Sequence, residues 1–328
     1  MIHAPVGETS AAGQRFEKAS EPPLPKRPLR SLVQFCALLA LLWCLFFALY
    51  AAFPYVRSGA ETIYMAKAGL LSRGIDADLV IFGNSKALAG FRPASFDAAT
   101  GIRSYNLGLP DEDRFISNLE KLAANRAPRL VLLTMTHSAT ERKANLFHYL
   151  EHDRATADRL FPFRHFPRDL TLFLLRSRTQ GGPASFYRQS EGIVARMEAD
   201  RGYYFIEAQS QGRLPPDFHL PGDRPDFVNA RTILNPGDLA RLQSLAERYD
   251  MQIWFVPSYY RPDEYASPPA ENAGLAAMIR TNPHFHLAGP DYWIFPLAYF
   301  SDPAHLNPEG AEVYTRRLAE LLSPAIHR

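Results

Sequence analysis

Cysteine is nearly missing from this chain: among 328 residues only Cys36 and Cys44 carry a thiol. Both fall in one apolar run, so the remainder has no disulfide to rely on and must be held by its core, even in an oxidising compartment. An excess of charge of one sign is missing too. Thirty-six basic residues face 34 acidic ones, for a formal charge of +2, which builds no field of the kind that gathers nucleic acid. Nor does the chain contain an internal repeat or a low-complexity tract. What it has is apolar content, 47% of residues, enough to bury a sizeable core.

Long apolar runs are scarce as well, and the single one is "LVQFCALLALLWCLFFALYAAF", Leu32 to Phe53, with no charge and only Gln34 strongly polar. A helix of roughly 20 apolar residues spans a bilayer. A secretory signal peptide has an apolar region of only about 7 to 15 residues behind a short basic leader, whereas the leader here is about thirty residues long. Residues 31–54 therefore read as an uncleaved transmembrane anchor. Lys26, Arg27 and Arg30 precede it and Arg57 alone follows closely, so the positive-inside rule puts residues 1–30, a Pro-, Glu- and Ser-containing tail, in the cytoplasm. Everything after Tyr55 then lies outside the cytoplasmic membrane, in a bacterium the periplasm or the cell surface. Residues 55–76 contain "RSGAETIYMAKAGLLSRG", a weakly amphipathic segment expected to form a stalk helix ending at Gly74.

From residue 77 to residue 328 short apolar runs alternate with helical ones: "DLVIFG" at 78–83, "RSYNLG" at 103–108, "RLVLLTM" at 129–135 and "MQIWFVP" at 251–257. Continuous runs of this length suit strands buried on both faces. Phe115, Leu119 and Leu122 line one helix face, and Leu239, Leu242, Leu245 and Tyr249 another, the latter opened by Asn235 and Pro236. Strand and helix in alternation imply an α/β fold with a parallel sheet covered on both sides, whose ligand crevice lies at the carboxyl ends of the strands. Residues 137–234 break the rhythm and read as an insertion packed beside the sheet.

Three segments place chemistry at that edge. In "VIFGNSKALAGF" Ser85 follows the first strand, where its hydroxyl can face the crevice beside N–H groups that stabilise an oxyanion; a helix N-cap is the plainer duty for a serine there. Gly108 ends the second run, as an oxyanion donor or as a turn glycine. In "FSDPAHLNPEG", residues 300–310, Asn307 and Pro308 already start a helix, with Ala311, Tyr314, Leu318 and Leu321 on its buried face. Asp302 and His305 are thus not needed for the cap, and a spacing of three lets the carboxylate fix the imidazole tautomer while the other ring nitrogen faces a serine. The competing duties are a turn histidine and a metal site, the latter short of a third ligand.

Together, "GNS" at 83–85, "NLG" at 106–108 and "DPAHLNPEG" at 302–310 resemble, in order and placement, blocks of the SGNH or GDSL-type hydrolase superfamily. The resemblance spans residues 78–322 and implies a flavodoxin-like three-layer α/β sandwich. It also implies Ser85 as nucleophile, His305 as base, Asp302 as its orienting partner, the Ser85 and Gly108 N–H groups as oxyanion donors, and neither metal nor cofactor. Asn84 stands where the family often has Asp, and the Gly-x-Asn-Asp block is not visible after "RLVLLTM", where Thr136, His137 and Ser138 stand instead. Losing one oxyanion donor costs on the order of 10² to 10³ in rate; His137 is a candidate substitute.

Anchoring plus a degenerate third block looks like the D-alanyl transfer protein of teichoic acid modification and the SGNH-like acetyltransferases of alginate and cellulose export. That likeness implies acyl transfer or ester hydrolysis on a cell-envelope polysaccharide, beside a multi-pass membrane acyltransferase. A non-catalytic polysaccharide-binding or scaffold domain is the alternative. Tyr259, Tyr260 and Arg261 follow the strand "IWFVP", where they can stack on a sugar and hold an anion or simply pack a loop. His284 and His286 read as one face of a short strand rather than as ligands.

Overall fold

The computed structural model of the protein describes residues 26–52, 59–109, 115–134, 136–137, 166–179, 181–205, 212–219, 232–234, 236–262, 281–290 and 292–326. It divides into two compact units, residues 1–52 and 53–328. The first holds a single helix, α1 (Lys26–Ala52). Its stretch Arg30–Leu49 has a mean hydropathy of 2.5 and is not buried at all. By length and composition this helix is long and apolar enough to cross a membrane. Cys36 and Cys44 are exposed on it and unpaired.

Among the described residues of the second unit there are nine strands: β1 (Leu79–Phe82), β2 (Ser104–Asn106), β3 (Leu130–Leu133), β4 (Thr136–His137), β5 (Thr232–Leu234), β6 (Gln252–Phe255), β7 (Ser258–Tyr260), β8 (Phe285–Leu287) and β9 (Tyr292–Ile294). Five of them form one parallel sheet in the order β2-β1-β3-β6-β8. β4 pairs with β5, and β7 with β9, as two small parallel ribbons. The apolar runs expected as strands all lie in the main sheet; the fifth strand comes from the "HFH" segment, in which His286 is a strand residue and His284 belongs to the preceding turn.

Helices cover both faces, because side chains alternate along each strand. Val80 and Phe82 of β1 and Val131 and Leu133 of β3 point to a core shared with α2 (Gly59–Arg73), α5 (Phe115–Arg126) and α8 (Pro236–Tyr249). Leu79, Ile81, Leu130 and Leu132 point the other way, toward α3 (Ser85–Gly90), α4 (Pro93–Thr100) and α9 (Pro308–Ile326). Within α9 the buried face runs through Ala311, Tyr314, Leu318 and Leu322; Leu321, expected on it, is only partly buried.

The stretch expected as a stalk is not outside the domain. It forms α2, whose Leu70 and Leu71 join the first core while Ile63 and Ala66 pack with Leu88 of α3 and Met197 of α7 (Pro183–Ala199). A helix buried on two sides carries no clean single stripe, which is why its sequence looked only weakly amphipathic. The inserted region contributes α6 (Phe166–Thr179), α7 and the β4–β5 ribbon. Residues 138–165, 206–211 and 220–231 of it lie outside the described residues, as does Asn235, so the cap expected there is not described, although α8 does begin at Pro236.

Gly83 is where the two central strands come closest. A Cβ there would sit 2.2 Å from Thr134 Oγ1 and 2.6 Å from Ala87 Cβ. Gly192, inside α7, has nothing within 4 Å of an added Cβ. Gly83→Ala is therefore expected to destabilise the full chain in detergent by about 1–3 kcal/mol through overpacking. Gly192→Ala should instead stabilise it by up to about 1 kcal/mol, as a helix interior gains from losing glycine. Denaturant unfolding of both variants measures the two signs.

Candidate active site

Sheet order reverses at β1: the chain leaves it for β2 on one side and returns to β3 on the other. Crevices of parallel sheets open outside the carboxyl ends of the strands at such a point. Ser85 stands there, three residues after Phe82, as the first residue of α3 and partly exposed. It is not the cap. Asn84 holds that place in extended conformation, and its side chain accepts the Lys86 N–H at 2.9 Å. Asn84 thus performs the capping, which frees the Ser85 hydroxyl from it.

The second block lies alongside. Leu107 N–H donates to Ile81 O at 2.8 Å and Leu109 N–H to Gly83 O at 2.9 Å, so residues 107–109 follow the turn that carries Ser85. Gly108 is pressed onto α3: a Cβ on it would lie 2.5 Å from Leu88 N and 3.0 Å from the carbonyl carbon of Ala87. Its N–H does not point to empty space, however. It donates to Asn106 Oδ1 at 2.9 Å, so the expected oxyanion donor is engaged within the chain. The same Asn106 side chain, through Nδ2, donates to Ala87 O at 2.8 Å, Leu88 O at 3.1 Å and Phe91 O at 2.8 Å. Asn106 was not singled out from sequence beyond opening the "NLG" run; an asparagine two residues before a glycine, as in an Asx turn, was its one signal.

The third block forms the expected pair. His305 Nδ1 lies 2.8 Å from Asp302 Oδ2 and 3.0 Å from Oδ1. Oδ1 also accepts the Ala304 and His305 backbone N–H groups, each at 2.8 Å. Burial pushes the Asp302 carboxyl up. The His305 hydrogen bond and charge and the two backbone N–H groups outweigh it and leave the carboxyl below its usual range. An ionised carboxylate needs a donor, so Nδ1 carries the proton and Nε2 is left as an acceptor. That Nε2 is buried and has no hydrogen-bond partner among the described residues. A buried orphan of this kind costs about 1–3 kcal/mol and is rare enough to call for a reason. Asn307 caps α9 as expected, Oδ1 accepting the Gly310 N–H at 2.9 Å, and its Nδ2 ties in Ala298 O at 2.8 Å.

Two contacts bring the blocks together. Tyr259 is buried, its hydroxyl donates to Lys86 O at 3.0 Å, and the N–H of Leu306 faces the same oxygen. The residue after Ser85 and the residue after His305 thus meet at one phenol, whose proton burial holds well above the usual tyrosine range. Thr315 of α9 adds a second link, donating to Gly90 O at 3.1 Å and accepting the Arg92 N–H at 2.9 Å. No hydrogen bond joins Ser85 to His305 itself.

The expected sugar-stacking group is largely structural. Tyr259 is 1% exposed and Arg261 1% exposed, and Arg261 donates to Pro303 O in the turn between Asp302 and His305. Both belong to the core because β7 pairs inward with β9, setting Tyr259 opposite Trp293. Tyr260 alone stays partly exposed, with Lys86 Nζ 3.7 Å from its ring centre. His286 stacks on Trp254 at 4.5 Å and bonds Gln252 Oε1 at 2.6 Å, and among the described residues no cluster of three His, Cys, Asp or Glu could hold a metal. His137 lies in β4 with its side chain outside the described residues, and Ser138 is not described. No family model, curated protein or solved structure is significantly similar to the chain.

The lowered Asp302 carboxyl has a pH consequence. A carboxylate whose folded value lies below its unfolded one, about 3.9, stabilises the fold above that range and loses this contribution as pH falls through the folded value. Asp302→Asn keeps an Oδ1 for the two backbone donors but cannot titrate. The stability gap between wild type and variant should therefore narrow on acidification, as read from denaturant melts from neutral to strongly acid pH.

Proposed function

We propose that the chain is a membrane-anchored, extracytoplasmic serine acyltransferase or esterase of the SGNH type, acting on O-acyl groups of an envelope or exported polysaccharide. The observation that carries the reading is the buried His305 Nε2, left without a partner while Asp302 holds Nδ1. The all-parallel β2-β1-β3-β6-β8 order, which matches the flavodoxin-like arrangement, and the uncapped-for duty of Ser85 add support. The basic residues of the first turns of α1, Lys26, Arg27 and Arg30, favour an N-terminus in the cytoplasm.

In the reaction, Ser85 Oγ attacks the acyl carbonyl as His305 Nε2 takes its proton. The tetrahedral oxyanion is met by the Ser85 N–H, which no helical carbonyl claims at the first turn, and by the Gly108 N–H once it leaves Asn106 Oδ1. Collapse breaks the bond to the leaving oxygen, which receives the proton from Nε2. A sugar hydroxyl or water then gives its proton to Nε2, attacks the serine ester and releases Ser85. A multi-pass membrane acyltransferase is the natural source of the acyl group for the transfer direction.

A fluorophosphonate probe on the full chain in detergent tests this. Wild type should label, Ser85→Ala should not, and His305→Ala should label about 10² to 10⁴ times more slowly, the contribution of a general base. Equal labelling of wild type and Ser85→Ala overturns the nucleophile assignment.

A second reading draws on the engaged Gly108 N–H: a non-catalytic domain that binds nascent polysaccharide or scaffolds an export complex. Under it, cells carrying His305→Ala keep normal polymer acylation while cells lacking the chain lose it.

A further inference from the structure

We infer that Lys67 is a positioning residue of the serine site, and that helix α2, the first element after the apolar helix, is thereby part of the site's machinery. The inference rests on the Ser85 reading above, and deepens it.

β2 is an edge strand, paired only with β1 in the sheet. At Asn106 its outward N–H donates to Arg201 O at 2.9 Å, as it would to a further strand. The outward carbonyl has no such strand to receive. Lys67 Nζ reaches it from α2 at 2.5 Å, and donates equally to Gly202 O at 2.5 Å. The amine replaces a backbone N–H on a covered sheet edge, where an unpaired carbonyl is costly.

The fit admits little else. Gly202 sits at φ +90, and a Cβ on it would lie 1.9 Å from Asn106 O and 2.9 Å from Lys67 Nζ. No side chain fits on residue 202 beside the Asn106 carbonyl, and one Nζ serves the Asn106 and Gly202 oxygens together. Lys67 is 1% exposed, and burial holds its ammonium well below the ordinary lysine range. Charged or neutral, the amine has at least two N–H groups, one for each carbonyl.

What Lys67 holds is the main chain of the residue whose side chain organises the site. Asn106 Nδ2 secures Ala87, Leu88 and Phe91 of the Ser85 helix, and Oδ1 secures the Gly108 N–H. A shift of the Asn106 backbone by a fraction of an ångström moves both sets together. In "ETIYMAKAGLL" the one lysine among apolar residues is the trace of this duty in the sequence.

Three variants of the full chain in detergent separate positioning from bulk stability. Lys67→Met removes the donors and keeps the apolar arm. Lys67→Gln restores two neutral N–H donors on a slightly shorter arm. Leu245→Ala, on α8, opens the first core, to which no residue of α3 belongs. Hydrogen exchange is followed on the peptide covering residues 104–109 and on β6, and the Ser85 labelling rate by fluorophosphonate is followed in parallel. Lys67→Met should speed exchange at 104–109 by about tenfold, the response to one lost buried hydrogen bond, while β6 is unchanged and labelling slows by a similar factor. Lys67→Gln should recover part of both losses, and Leu245→Ala should show neither local effect.

Unchanged exchange at 104–109 in Lys67→Met, or a rise there matched at β6 as in a general loosening, overturns the inference. So does altered exchange with an unaltered labelling rate. If wild type itself does not label, the nucleophile reading falls, and the exchange data alone decide whether Lys67 holds this strand.

Discussion

Three carbonyls at the end of a six-residue helix converge on one amide, Asn106 Nδ2. A helix this short has no stability of its own, so α3 exists because something outside it satisfies the end that its own ladder leaves open. Asn84 does this at the start and Asn106 at the finish. The position of Ser85 follows from the pair. So does the position of Gly108, pressed against the backbone of α3 with its N–H on the opposite end of the same amide. One side chain thereby ties an edge strand, a short helix and a glycine into a unit, and that unit sits at the point where the sheet order reverses.

His305 enters this unit from the far end of the chain through packing rather than through a bond to Ser85. Tyr259 packs edge to face with Phe295, Phe300 and Tyr314, an arrangement that aromatic rings favour. Its hydroxyl stands between Lys86 and Leu306. The cluster is large and buried, and the Tyr259 hydroxyl is where the two halves of the candidate site touch. Asp302 and His305 are held from their own side by the Asx turn and by Arg261 beneath Pro303.

Buried cations recur around this unit, and they follow one rule. Lys67, Lys86 and Arg261 are each 2% exposed or less, and each donates to main-chain carbonyls: Asn106 and Gly202, Tyr259, and Pro303 respectively. Burying a cation is costly unless its donors are used. Here they are used to join segments distant in sequence, where a loop carbonyl would otherwise lack a partner. The long aliphatic arms of lysine pack in the core on the way, so one residue serves both packing and hydrogen bonding.

Local chemistry was legible in the sequence. The apolar runs have the length and composition of doubly covered parallel strands, the Asn307–Pro308 start of α9 is a first-turn signature, and a spacing of three sufficed to pair Asp302 with His305, because an Asx turn closes within four residues. Contacts between distant segments were not legible. That α2 belongs to the domain, that Tyr259 and Arg261 turn inward, that Asn106 Nδ2 reaches the carbonyls of α3, and that Lys86 and Leu306 meet at a phenol all depend on which segments the sheet order sets side by side. The sequence by itself determined which groups were free for chemistry, since caps and turns are local hydrogen bonds. Only the tertiary structure decided what those groups face, because side-chain burial and hydrogen-bond partners are properties of the assembled layers and of no single segment.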